Sequence, residues 1–232
     1  MSHDCNKQQV ESESVLPTRL LYVGDCKDSR HDSDFVRLVR ASETTKQEYI
    51  ALSHCWGGLS DAEKKAYCTT QDNLDRRSRG FNLSELPKTF QHAVKVTREL
   101  GVLYLWIDSL CIIQYGDGGE DWKRESSLME SVFSAAYCII AATAAIDSYA
   151  GFLERDISPE YVHVQDAPGN HFYISTDIDD FDNDVGKAQL NKRAWVMQEW
   201  VLARRTVHFS ANQVYWECGK GVYCENLTQL IR

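Results

Sequence analysis

The order of apolar and polar positions predicts alternating strands and helices. Two short apolar runs, 20–23 and 35–39, flank a polar segment and indicate a hairpin with a long loop. The apolar run 49–53 indicates a strand, which the glycines Gly57 and Gly58 bring to an end. The first part of the chain is therefore expected to supply three strands.

A helix and a central strand are predicted next. Pro87 suits the first position of a helix, and apolar residues from Phe90 to Leu100 recur at helical spacing until Gly101. The run 104–113 is apolar without two-fold alternation. That pattern favours a strand that is covered on both faces.

The remaining segments complete the predicted α/β fold. A second helix over 121–137 leads into a third central strand at 138–142, and this alternation favours parallel βαβ units. We expect a central parallel sheet with helices on both faces, and extra antiparallel strands in the C-terminal part. The later elements are two antiparallel strands at 161–165 and 171–175, a short helix near 194–203, and strands at 206–209 and 213–217.

Composition and charge narrow the classes of function. The 232 residues suit a single domain, expected over 19–232 behind a flexible lead at 1–18. The net charge of −9, from 25 basic and 34 acidic residues, argues against a nucleic-acid partner. The longest apolar run is about half the roughly 20 residues that a spanning helix needs, and the N-terminus lacks a secretory signal. We therefore expect a cytoplasmic protein without a membrane span.

No metal site or cofactor is expected. The closest pair among the eight cysteines, Cys218 and Cys224, has five residues between its members, which is not zinc-site spacing. The segment 180–184 resembles the start of a calcium loop, but Val185 stands where that loop needs glycine. A solvated acidic loop is the expectation there.

Glu125 is the most informative single position. On a helical wheel it falls inside an apolar stripe, and a carboxylate that faces a core is costly unless it is paired or functional. Two interpretations stay open: a buried structural acid that pairs with an arginine, or an acid at the wall of a ligand cleft. The stripe consists of Trp122, Met129, Val132, Phe133 and Ala136.

Other candidate residues lie at the ends of predicted strands. Asp108 is near the C-terminal end of the central strand, where open parallel sheets bind ligands, although a structural cap is the alternative. Ser53, His54 and Trp56 occupy the equivalent end of the first parallel strand. The two glycines that follow would let a backbone approach a phosphate or ribose, but such pairs also make simple turns.

Glu199 is a candidate buried acid. It lies on the predicted helix 194–203, which is apolar almost all round. A structural ion pair with Arg193, Arg204 or Arg205 is the favoured role.

Four segments, in this order, resemble the motifs of the fungal heterokaryon-incompatibility (HET) domain. They are YIALSHCWGG from Tyr49, LYLWIDSLCIIQ from Leu103, EDWKRESSLM from Glu120 and RAWVMQE from Arg193. The resemblance covers about 49–218. His54 departs from it, since the family usually has tyrosine before its Trp-Gly.

The resemblance implies a role in fungal non-self recognition and programmed cell death. It also implies a distant similarity to Toll/interleukin-1 receptor (TIR) domains, which have a flavodoxin-like parallel sheet. Many TIR domains cleave NAD⁺ at the nicotinamide–ribose bond with a glutamate on a helix, and Trp122 and Glu125 resemble that signature. Many HET domains carry glutamine at this position.

Two functions are therefore expected as alternatives. The first is an NAD⁺ glycohydrolase in which Glu125 and Asp108 are catalytic. The second is a non-enzymatic signalling module that self-associates and recruits death factors, with a separate sensor protein as trigger. In the first, NAD⁺ is a substrate rather than a cofactor, contacted by Ser53, His54, Trp56, Gly57, Gly58 and Trp122.

Overall fold

The computed structural model describes residues 16–24, 34–44, 48–155, 161–166, 169–175, 180–192, 202–225 and 229–230. The strands within these residues are Arg19–Tyr22 (β1), Phe35–Arg40 (β2), Ile50–Ser53 (β3), Phe81–Asn82 (β4), Tyr104–Trp106 (β5), Cys138–Ala141 (β6), Tyr161–Gln165 (β7), His171–Ser175 (β8), Arg205–Phe209 (β9), Val214–Cys218 (β10), Gly221–Cys224 (β11) and Gln229–Leu230 (β12). The helices are Asp61–Tyr67 (α1), Leu74–Arg79 (α2), Lys88–Glu99 (α3), Asp108–Cys111 (α4), Glu120–Ser126 (α5) and Met129–Ala135 (α6).

The described strands form a large mixed sheet of ten strands in the order β12-β11-β10-β9-β6-β3-β5-β1-β2-β4, and β7 and β8 pair separately. Four adjacent strands, β5, β3, β6 and β9, are parallel to one another. All other pairs of neighbouring described strands are antiparallel. The prediction of an α/β chain with parallel central strands and antiparallel C-terminal strands is confirmed. Because the chain visits β5 on one side of β3 and then β6 on the other, the strand order reverses between β3 and β6.

The central strands are buried along their whole length. Every residue of β3, β5 and β6 is buried. On α3, Phe90, Ala93, Val94 and Thr97 face the core as predicted. Leu100 is 49% exposed instead, because the helix ends one residue before it.

The predicted central strand over 104–113 is wrong beyond its third residue. The strand ends at Trp106, and Asp108 begins the short helix α4. The whole of 109–113 is buried. A run that is apolar on every side fits a buried helix as well as a buried strand, so periodicity alone did not separate the two.

The predicted single helix over 121–137 is two helices. α5 ends at Ser126 and α6 begins at Met129, so the angular count of a helical wheel does not carry across the break. Glu125 is buried as predicted, but Trp122 is 45% exposed and does not belong to the apolar stripe.

The acidic segment near 180–184 is anchored rather than fully solvated, which corrects the prediction for its described part. Phe181 and Val185 are buried in a small cluster with the C-terminal strands. Asp184 accepts hydrogen bonds from those strands and their connection. The donors are Ser210 Oγ at 3.3 Å, Asn212 Nδ2 at 2.6 Å and Tyr215 OH at 2.8 Å.

The remaining predictions have mixed outcomes. The antiparallel pairs β1–β2 and β7–β8 are confirmed, as are the two predicted strands β9 and β10, which pair antiparallel. Glu199 and most of the predicted helix 194–203 lie outside the described residues. Among the described residues, no helix has the length and apolar character needed to cross a membrane.

Candidate functional site

The candidate site begins at the edge where the parallel strands end. Ala51 of β3 pairs with Trp106 of β5, so Ser53 and Asp108 leave neighbouring strands at the same level. Ser53 in turn pairs with Ala141 at the end of β6. This edge includes the point where strand order reverses, which is where open α/β sheets bind ligands.

A hydrogen bond joins two of the predicted site residues across this edge. Trp56 Nε1 donates to Asp108 Oδ2 at 3.0 Å, and the backbone N–H of Ser109 donates to Asp108 Oδ1 at 2.6 Å. Asp108 is half-buried and stands in the first turn of α4, where a negative charge is favourable. The carboxylate therefore joins the loop after β3 to the first turn of α4.

A small pocket opens beside Asp108. It has room for about one water molecule. The sequence missed its apolar wall, because residues from α6 reach this edge only in the folded chain. The lining residues are Leu52, Ser53, His54, Trp106, Asp108, Met129 and Phe133.

His54 is held by aromatic neighbours. Its ring meets Phe90 edge-on at 4.9 Å between centroids and lies nearly parallel to Trp56 at 6.3 Å. Cys55 instead packs with Ala141 and Leu190. The two adjacent side chains thus lie among different neighbours, and His54 supplies a wall of the pocket.

Gly57 lets two loops of this edge approach each other. Its φ is +76°, and a Cβ at this position would lie 2.3 Å from the Cβ of Asp147, in the loop after β6. Gly58 is exposed, and a Cβ there would meet nothing within 4 Å. Close packing explains the first glycine, whereas the second faces open space.

Glu125 is almost completely buried, with 2% of its surface exposed. The N–H of Thr18 donates to Oε2 at 3.2 Å, and the Thr18 hydroxyl donates to Oε1. Arg124 Nε donates to Oε1 at 3.3 Å. The structure therefore has the arginine-paired acid of the first interpretation. Glu125 does not line the pocket, and neither does Trp122.

Asp121, one turn before Glu125, is a second buried acid that the sequence did not single out. Its carboxylate forms ion pairs with Arg19 and Arg124 and accepts the N–H of Ile113 at 2.8 Å. Arg19 Nε also donates to the carbonyl of Cys111 at 2.8 Å. This network joins the start of β1 to α5 and to the end of α4.

The structure brings Glu125 and Asp108 to the same edge of the sheet. β1 runs antiparallel to β5, with Leu21 opposite Leu105, so Thr18 lies near the level at which β5 ends. Burial raises the pKa of the Cys111 thiol to about 12, and both carboxylates act on it in the same direction. Asp108 therefore lies at the pocket as the first residue of α4, and Glu125 lies at the same edge, hydrogen-bonded to Thr18.

Within the described residues, no group of three or more histidine, cysteine or acidic side chains is arranged to hold a metal ion. No curated protein and no solved structure matches the chain. The family model described as heterokaryon incompatibility protein (HET) matches residues 49–199, which is more than half of the chain and includes Asp108, Glu125 and the predicted substrate-binding residues. The chain belongs to the heterokaryon incompatibility (HET) family, which is associated with heterokaryon incompatibility.

Proposed function

We propose that this HET domain is a cytoplasmic effector of fungal non-self recognition and cell death that acts by cleaving NAD⁺. The observation that carries the proposal is the position of Asp108 and Glu125. Both carboxylates lie at the carboxyl edge of the parallel strands: Asp108 follows β5, next to β3, and Glu125 is hydrogen-bonded to Thr18, which precedes β1 at the same edge. The parallel strands follow one another across the sheet as β5, β3, β6 and β9, so the second of them along the chain comes first, followed by the first, the third and the fourth. Flavodoxin-like sheets begin with the same order of strands.

The proposed reaction is hydrolysis of the bond between nicotinamide and ribose. That bond breaks with both electrons leaving on nicotinamide, water adds to the ribose carbon, and ADP-ribose and one proton are released. The transition state has oxocarbenium character, so a nearby carboxylate stabilises its charge. Glu125 is assigned that role, and Asp108 orients the ribose or the attacking water.

Nicotinamide release from NAD⁺ tests the proposal. The concentrated chain and a form fused to an oligomerising coiled coil are compared with Glu125→Gln, using Glu130→Gln as the matched control, because Glu130 is exposed on the next helix. We expect release by the wild type and the control, and a loss of at least about a hundredfold in Glu125→Gln. Equal release by all three proteins would remove Glu125 from the mechanism.

The second candidate is a non-enzymatic module that self-associates and recruits death factors, triggered by a separate sensor protein. One observation favours it: the Glu125 carboxylate is satisfied by Thr18 and Arg124 and lies outside the pocket, as expected of a structural acid. TIR-like folds support either use, so the fold does not decide between them.

Cell killing separates the two candidates. The wild type and Glu125→Gln are expressed in fungal cells, and viability is followed together with cellular NAD⁺. Killing that persists in the variant, with NAD⁺ unchanged in both strains, would favour the module. In that case sedimentation at increasing protein concentration should reveal self-association.

A further inference from the structure

We propose that residues 16–18 form a cover over Glu125, and that this cover must move before a substrate reaches the carboxylate. The inference rests on the proposed function, in which Glu125 meets the ribose of NAD⁺. Its starting point is the exposure of Glu125, which is only 2%. A group that stabilises a charge on the substrate has to contact that substrate, so the structure represents a closed state of the site.

The position of the cover follows from strand pairing. Because β1 is antiparallel to β5, the residues that precede β1 lie over the edge where the parallel strand β5 ends. Asp108 follows β5 at that edge. The segment before β1 therefore reaches this edge at the level of Asp108, where Thr18 contacts Glu125.

The hydrogen bonds of Glu125 come from two sources. Thr18 supplies two donors, its N–H at 3.2 Å and its hydroxyl. The third donor, Arg124 Nε, belongs to the neighbouring residue of the same helix and stays beside Glu125 in any movement of the cover. Displacement of Thr18 thus opens the carboxylate and leaves its arginine in place.

The contacts made by residues 16–18 and by the residue that follows them determine where the cover can bend. Arg19, the residue directly after it, is fixed by Asp121 and by the carbonyl of Cys111. Thr18 itself has one further backbone bond, in which its carbonyl accepts the N–H of Ala41 at 3.1 Å. Leu16 packs against the main core. A hinge between Thr18 and Arg19 would release the cover and leave β1 in the sheet. The open form would then be a minor conformation that a ligand or partner stabilises.

Chemical labelling of Glu125 tests the cover without using catalysis. The full chain is treated with a carbodiimide and glycine ethyl ester, and modification of Glu125 is quantified by peptide mass spectrometry. In Thr18→Ala the hydroxyl donor is lost, and we expect labelling to rise roughly tenfold. Thr18→Val keeps the side-chain volume but also lacks the hydroxyl donor, so it should show the same rise as Thr18→Ala, which separates loss of the hydrogen bond from loss of packing. Thr18→Ser, which keeps the donor, should match the wild type.

Thr97→Ala is the matched control, because the Thr97 hydroxyl donates to the carbonyl of Ala93 at 2.7 Å on α3, so it loses a comparable bond away from Glu125 and from the attachments of the cover. Equal labelling of Glu125 in the wild type, Thr18→Ala and Thr18→Val, all folded by circular dichroism, overturns the cover. Nicotinamide release is measured on the same samples. A parallel rise in labelling and release supports both proposals, whereas a rise in labelling without release by any protein supports the cover and overturns NAD⁺ cleavage.

Discussion

The indole of Trp56 donates a hydrogen bond to the carboxylate of Asp108 across the carboxyl edge of the parallel strands. The two residues are 52 positions apart in the chain and follow different strands, β3 and β5. This bond links the loop after β3 to the first turn of α4. Of the two residues, Asp108 lines the small pocket at this edge.

Replacement of Asp108 should weaken the fold through this bond. Asp108→Ala removes the acceptor of both Trp56 Nε1 and the Ser109 N–H, and we expect a loss of roughly 1–3 kcal/mol in the free energy of unfolding. Asp108→Asn retains one carbonyl acceptor and should lose less. Urea titration followed by tryptophan fluorescence measures both. The exposed Asp72→Ala is the control, and an equal loss in that variant would show that the bond contributes nothing.

The two adjacent glycines should respond differently to alanine. Gly57→Ala places a Cβ 2.3 Å from that of Asp147 and strains a positive φ, so we expect a loss of about 2 kcal/mol or more. Gly58→Ala meets nothing within 4 Å and should change stability by less than about 0.5 kcal/mol. Thermal and urea unfolding of both variants provide the comparison. Similar losses of stability in the two variants would mean that the close approach of the two loops at Gly57 does not determine the cost of the substitution.

His92 should make the fold less stable in mild acid. Burial, followed by the charge of Lys88, lowers the pKa of His92 below its ordinary 6.5, and Nδ1 accepts the N–H groups of Phe152 at 3.0 Å and Leu153 at 3.1 Å. Because the unfolded chain then binds the proton more readily, stability is full above the unfolded pKa and falls as the pH drops through the folded pKa.

His92→Gln keeps an acceptor but does not titrate. Its urea midpoint should change less than that of the wild type between about pH 7.5 and about pH 5.5. Parallel pH profiles for the two proteins would assign the acid sensitivity to other groups.

Three buried thiols should be inert in the folded protein. Burial raises the pKa values of Cys68, Cys111 and Cys138 to about 12, so the reactive thiolate is scarce near neutral pH. We expect iodoacetamide at about pH 8 to modify them only after denaturant is added. Peptide mass spectrometry of native and unfolded samples checks this. Rapid modification of Cys111 in the native protein would contradict its complete burial at the end of α4.

The local order of apolar and polar residues was sufficient to predict the elements that have a regular hydrophobic period or a glycine or proline at their ends. The buried face of α3, its start after Pro87 and the antiparallel pairs β1–β2 and β7–β8 were predictable, because each depends on neighbouring residues alone. Glu125 is buried as predicted, although the helical wheel that predicted its burial treated α5 and α6 as one helix and included the exposed Trp122. The four motifs that resemble HET domains likewise needed only the order of residues.

Tertiary packing decided the rest. The run 104–113 is apolar on every side, so its pattern fits a strand or a buried helix equally well. In the folded chain the strand ends at Trp106 and the helix α4 begins at Asp108. The partner of Glu125 is Thr18, 107 positions away, brought there by the antiparallel pairing of β1 with β5. The sequence by itself determined that a carboxylate would be buried on α5. The sheet order alone determined what covers it, because contacts between distant segments depend on strand pairing rather than on local pattern.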